Sequence, residues 1–169
     1  MADQRRLLDQ VPGARTLVIP NPADVEYYQP RATDPPPDAR TVVLFGQLSY
    51  FHNLDGVTQF VQEIWPRIAE VHPKARLKII GGQAPQSLRA LVRPGVELTG
   101  FVSDLRPHLA EAAAVVVPLR LGGGTRLKIV EAMAMGKAIV STTREPRGSR
   151  PSRGATFSLR TSRRHSRTR

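Results

Sequence analysis

The chain has 169 residues, 40% of them hydrophobic, enough for one ordinary domain with a buried core. It has no cysteine, which excludes a disulfide framework and a cysteine-ligated zinc site. No stretch approaches the ~18 consecutive apolar residues of a membrane span, and no apolar run of signal-peptide length follows Met1-Ala2-Asp3-Gln4-Arg5-Arg6. A soluble cytoplasmic protein is therefore expected. A net charge of +11 would normally point to nucleic acid or an anionic membrane. Its distribution argues otherwise: residues 144–169 hold nine arginines against the single acid Glu145, a net +8, while residues 1–143 carry only +3.

In chain order, Thr16-Leu17-Val18-Ile19 is a short apolar run stopped by Pro20-Asn21-Pro22 and is predicted to be a strand with a turn behind it. Residues 30–39, with Pro35-Pro36-Pro37, have the stiff composition of a linker. Residues 1–39 are thus expected to be the trailing edge of a preceding domain plus a crossover.

From Thr41 the pattern becomes regular. Thr41-Val42-Val43-Leu44-Phe45 is a continuous apolar run closed by Gly46, as expected of a strand buried on both faces. Over residues 55–71, Val57, Phe60, Val61, Ile64, Trp65 and Ile68 recur at helical spacing, and Pro66 is expected to kink or restart that helix. The unit then repeats: strands over 75–80, 96–99, 114–117 and 138–141, and helices over 85–92, 104–113 and 125–135. Five strands alternating with four helices predict an α/β fold, a parallel sheet with right-handed crossovers and helices on both faces. Ligands of such sheets bind at the carboxyl ends of the strands, so the informative loops begin at Gly46, Gly81, Gly100 and Pro118. Residues 40–143 form this domain. Residues 144–169 lose all periodicity and are expected to be a disordered Arg-rich tail, leaving the fold incomplete where a sixth strand and closing helix would follow.

The segment with most chemistry is Pro118-Leu119-Arg120-Leu121-Gly122-Gly123-Gly124-Thr125-Arg126-Leu127-Lys128-Ile129-Val130-Glu131. Three glycines allow close approach of a phosphate, Thr125 is a good N-cap, and the helix start offers free N–H groups at the positive end of its dipole. Arg120 and Lys128 could add charge-assisted contacts, and Glu131 could accept hydrogen bonds from ribose hydroxyls. The plainer reading is a tight turn and a solvated surface acid. The segment is not a Walker loop, since Gly-Lys-Ser/Thr is absent. His72, His108 and His165 lack metal-ligand spacing, and no metal is expected. His52 is the one histidine near the expected cleft, and Phe101, just after a strand, is placed either beside a base or at a rim.

Gly122 to Gly136 with Pro118 resembles the nucleotide-sugar-binding segment of family-4 retaining glycosyltransferases of the GT-B architecture. Gly46-Gln47-Leu48-Ser49-Tyr50-Phe51-His52-Asn53-Leu54-Asp55, Ile64-Trp65-Pro66, Gly95-Val96-Glu97-Leu98-Thr99-Gly100-Phe101-Val102 and Asp104-Leu105-Arg106-Pro107 resemble one branch of that family in the same order, over roughly residues 17–142. The resemblance implies one Rossmann-like half of a GT-B fold. It implies a donor diphosphate held by Gly46, Arg120, Gly122, Gly123, Gly124, Thr125, Arg126 and Lys128, a ribose held by Glu131, and Phe101 near the base. The implied donor is a UDP- or GDP-linked sugar with no further cofactor, and the acceptor is a glycan, lipid or small molecule. Catalytic contacts are expected partly in the domain that precedes this segment in the family, so hexosyl transfer by this chain alone is expected to be poor. The full-length enzyme would be cytoplasmic or peripheral to a membrane.

The chain departs from the family in three places. A second Glu carried by many members corresponds to Gly123, a basic residue after the first strand is replaced by His52-Asn53, and Pro20-Asn21-Pro22-Ala23-Asp24 stands where Pro-Asn-Gly-Val-Asp is usual. Arg120, Arg126 or Lys128 would have to supply the missing charge. The arginine tail has two readings, a nucleic-acid-binding arm or an out-of-frame translation, the second suggested by nine arginines with no lysine. The alternatives to a donor-binding fragment are a non-catalytic basic nucleic-acid-binding or interaction module, and a broken product without a stable fold.

Overall fold

A computed structural model describes residues 2–19, 21–120, 126–142 and the backbone of 157–160. Its frame is a sheet in the order β3-β2-β1-β4-β5-β6, built from β1 (Asp38–Phe45), β2 (Arg76–Ile80), β3 (Val96–Gly100), β4 (Ala112–Val117), β5 (Ala138–Thr142) and β6 (Phe157–Arg160). Strands β1 to β5 are mutually parallel, with Val43 opposite Lys78 on one side and Val115 on the other. The five apolar runs thus become the five parallel strands.

Period-two alternation splits the core into two layers. Leu44, Leu77, Ile79 and Val116 face a cluster with Phe60, Val61 and Trp65. Val43, Ile80, Val115, Val117 and Ile139 face the opposite cluster with Leu109, Ala132 and Met135. The first layer is covered by α2 (Phe51–Gln59), a π-helical segment Phe60–Ile64, α3 (Trp65–Val71) and the single turn α4 (Gln86–Arg89); α5 (Arg106–Glu111) and α6 (Leu127–Ala134) lie on the second. Residues 51–71 run as one helical rod, longer than the predicted 55–71, and Pro66 explains its middle. Proline cannot donate to the carbonyl four residues back and its ring crowds that turn. The chain widens before it, the Trp65 N–H reaching the Phe60 carbonyl.

Several sequence expectations change. Residues Ala2–Gln10 form helix α1. Leu17, Val18 and Ile19 make no strand and are exposed, Leu17 at 82%; a lone strand has no ladder to join. The helix expected over 104–113 ends at Glu111 and β4 begins at once with Ala112. The buried Lys137 makes that abrupt junction possible, its Nζ donating to the Ala110 and Ala112 carbonyls at 2.5 and 3.1 Å. No strand is expected after Ser141, yet β6 pairs antiparallel along β5, Ser141 opposite Ser158. The remaining tail residues, 144–156 and 161–169, lie outside the described residues.

The strand order reverses at β1 and β4, so a crevice opens at their carboxyl ends. Helix α2 braces that point. Gly56 presses against Pro118 at the end of β4, and a Cβ on Gly56 would lie 3.0 Å from the Pro118 carbonyl carbon and closer still to its oxygen. Helix propensity favours alanine over glycine by about 1 kcal/mol, but overlap with an immobile backbone costs about 1–3 kcal/mol. Gly56→Ala should therefore lower stability in urea unfolding; a stabilised variant would show that α2 does not bear on the β4 terminus.

Candidate functional site

The crevice is built around the end of β1. Gly46 has φ +148°, a conformation that disfavours side chains, and a Cβ there would sit 2.8 Å from Lys128 Nζ and 3.1 Å from Asn53 Nδ2. Into that space α6 sends Lys128, whose Nζ donates to the Phe45 carbonyl at 3.0 Å and to Asn53 Oδ1 at 2.8 Å. Asn53 is fixed in turn, its Nδ2 donating to the Gln47 carbonyl at 2.8 Å. An ammonium has three N–H donors, and these two bonds account for two. Burial pushes the Lys128 ammonium down to about 8, opposed by the charge of Glu131 and reinforced by Arg126.

Glu131 lies one helical turn beyond Lys128 on α6, and its charge opposes the fall in the Lys128 pKa. Tyr28, in the segment leading into β1, has its phenol pushed up to about 12, first by burial and then by the charge of Glu131.

The two arginines expected beside the diphosphate are already engaged. Arg120 forms a two-pronged pair with Asp55 of α2, at 2.8 and 3.1 Å. Arg126 clamps the ends of β4 and β5 together, donating to the Leu119 carbonyl at 3.0 Å and to Ser141 Oγ at 2.9 Å. It also occupies the N-cap position of α6 in extended backbone, without a side-chain cap bond. The helix therefore starts at Leu127, one residue later than a Thr125 cap requires. Gly122, Gly123, Gly124 and Thr125 lie outside the described residues.

Beside Gly46 the carboxyl ends of β1, β2 and β3 enclose a largely apolar cavity of about 700 Å³, lined by Phe45, Gly46, Ile80, Gly82, Gln83, Phe101 and Val102 among others. Phe101 stands at its mouth, 81% exposed. Gln83 adopts φ +56° and accepts a hydrogen bond from Ser49 Oγ at 3.0 Å, linking the loops after β1 and β2. His52 packs edge-on against Tyr50 and Phe51, with its Nδ1 buried and unpaired. No group of acidic and histidine side chains fit to hold a metal occurs among the described residues. Among them there is also no helix long and apolar enough to cross a membrane. Asn53, Gln83 and Tyr28 carry no sequence motif of their own; only the replacement of a basic residue by His52-Asn53 pointed toward the first.

The family described as "Glycosyl transferases group 1" matches residues 39–154. The phosphatidylinositol N-acetylglucosaminyltransferase gpi3 subunit of Schizosaccharomyces pombe is 28% identical over 148 residues, covering 76% of this chain and 29% of that protein. Among solved structures, TarM superposes with a TM-score of 0.68 at 15% identity, over 86% of this chain and 28% of that one. HepE of Anabaena, in complex with UDP and glucose, superposes with a TM-score of 0.62 at 20% identity, over 85% and 42%. The chain thus spans less than half the length of each of these relatives. Each superposes as a parallel sheet with helices of the GT-B type. With the family pattern extending over most of the described sheet and the Lys128–Glu131 helix, the chain belongs to the group 1 glycosyl transferases.

Proposed function

We propose that this chain is the donor-binding portion of a retaining family-4 glycosyltransferase, transferring a hexosyl group from a UDP- or GDP-linked sugar to a glycan, lipid or small-molecule acceptor. The observation that carries the reading is the Lys128 ammonium, two of its three N–H groups held by Phe45 and Asn53, beside a large apolar cavity and one turn from Glu131. Its remaining N–H, with the start of α6, meets a diphosphate; the cavity takes the base near Phe101; Glu131 accepts from the ribose hydroxyls. Gly46 gives the phosphates room, and Gly122, Gly123, Gly124 and Thr125 supply main-chain donors from the loop. HepE, similar in fold, holds UDP and glucose.

In transfer, the acceptor oxygen bonds to the anomeric carbon as that carbon's bond to the β-phosphate oxygen breaks, and the acceptor's hydroxyl proton passes to the departing diphosphate. Negative charge grows on the departing diphosphate, where a desolvated ammonium is worth more than in water. Acceptor contacts come from a preceding domain, and the enzyme works in the cytoplasm or at a membrane surface.

Binding ranks the cations. A hydrogen bond to a charged group is worth about 1.5–3 kcal/mol, tenfold or more in affinity. Lys128→Met should therefore weaken UDP or GDP binding at least tenfold by calorimetry, while Arg120→Ala, whose guanidinium is already held by Asp55, should change it less than about threefold. Failure of UDP, GDP and ADP to bind would sink the reading.

Protonation gives a second check. A nearby diphosphate favours the charged ammonium and lifts the depressed Lys128 value of about 8 back upward. Binding should then take up a fraction of a proton between about pH 8 and 10 and almost none from Lys128 near pH 6. Calorimetry in buffers of differing ionisation enthalpy measures this uptake, and Lys128→Met should abolish it.

A further inference from the structure

We infer that Gln83, held as a hydrogen-bond donor by Ser49, reads the base of the nucleotide and selects a ring carbonyl over a ring amine: uracil or a 6-oxopurine rather than cytosine or adenine. The inference rests on the nucleotide-binding reading above and adds to it the side chains that choose the base.

The cavity beside Gly46 rests on main-chain contacts. A Cβ on Gly81 would overlap the Gly46 carbonyl oxygen, the Leu48 N–H donates to the Gly82 carbonyl at 3.3 Å, and the Gly81 N–H donates to the Gly100 carbonyl at 2.9 Å. The loops after β1, β2 and β3 are thereby welded to one another. Phe101 stands directly beside Gly82, its Cβ 3.5 Å from where a Gly82 Cβ would lie. Among the described residues lining this hollow, Gln47 and Gln83 alone have polar side chains. Apolar walls hold a flat aromatic ring without regard to its identity, so discrimination falls to these two amides.

Gln83 is also the single non-glycine residue with positive φ among the described residues, at +56°. Residues with a Cβ populate that region sparsely, and in it the Gln83 side chain reaches back to the loop after β1. There Ser49 Oγ donates to Gln83 Oε1 at 3.0 Å and accepts from Gln47 Nε2 at 3.2 Å. Gln47 Nε2 also stands 3.5 Å from Gln83 Oε1. Turning the Gln83 amide over would set two NH2 groups face to face, so the relay fixes which end of the amide meets Ser49. The Nε2 of Gln83 and the Oε1 of Gln47 are left without partners among the described residues.

A glutamine free to use both ends pairs with adenine readily, giving one hydrogen bond and accepting another. Gln83 has its acceptor engaged by Ser49 and offers only N–H groups. A ring carbonyl satisfies them; a ring amine would oppose donor to donor and leave both unpaired. Beside their carbonyl, uracil and the 6-oxopurines carry an imino N–H, the complement of Gln47 Oε1. Cytosine and adenine carry an amine beside a bare ring nitrogen, the reverse on both counts.

The test measures UDP against CDP and IDP against ADP by calorimetry on the full chain, on Gln83→Glu and on Ser49→Ala. Each pair exchanges a carbonyl and imino N–H for an amine and bare nitrogen, with ribose and diphosphate unchanged. The pair that binds more tightly tells a pyrimidine donor from a purine one, and within it the carbonyl member should win about threefold to tenfold. Gln83→Glu keeps the shape and replaces the donor by an acceptor, and should bring that ratio to one or below. Ser49→Ala releases the amide to turn and should narrow the ratio to within about twofold. Equal affinity for both members in the native chain would overturn the inference and leave the nucleotide reading standing. So would an unchanged ratio in Gln83→Glu, with both affinities falling together, since Gln83 would then only shape the loop. Failure of all four nucleotides to bind would sink the nucleotide reading and this inference together.

Discussion

A strand that ends in a bare carbonyl, followed by a residue with no side chain, is the constraint on which this crevice depends. The Phe45 carbonyl needs a donor, Gly46 leaves the space for one, and Lys128 arrives from a helix far along the chain to fill it. The charge is tolerated there because Asn53 adds a second acceptor beside the carbonyl. That single contact ties β1 to α6 across the reversal of strand order. It also sets a cation beside the apolar hollow at the carboxyl ends of β1, β2 and β3.

The sheet was readable in the sequence because strands buried on both faces must be apolar throughout, and glycines punctuate the carboxyl ends of three of them, at Gly46, Gly81 and Gly100. Pro66 was readable as a disturbance, though not as the wider helical turn that absorbs it. The junction of α5 and β4 was not, since a run of alanines carries no preference that separates helix from strand and the boundary is set by Lys137 from a distant turn. The candidate site divides along the same line. Lys128 and Glu131 stand at helical spacing after a glycine-rich stretch of sequence. Arg126 resembled a ligand contact in sequence, yet its guanidinium serves Ser141 and the Leu119 carbonyl. Only long-range packing distinguishes an arginine that binds from one that braces.

Charge offers a parallel lesson. The overall excess of arginine suggests a polyanion-binding protein, but in the described domain many basic groups are matched: Arg76 by Asp38, Lys78 by Glu111, Arg106 by Asp104, Arg120 by Asp55. Exposed pairs of this kind contribute little to stability. Among the described residues, their effect is to leave Lys128 as a desolvated cation in the crevice rather than one member of a broad basic field.

The contact between Gly56 and Pro118 limits where the crevice can be remodelled. Two main chains meet there with no side chain between them, so there is nothing to shorten or enlarge at the root of the loop after β4. Any change in what the crevice accommodates would have to proceed farther out, along α6, while this inner pivot keeps its shape. A scaffold of that kind is rigid at its foundation and adaptable at its rim.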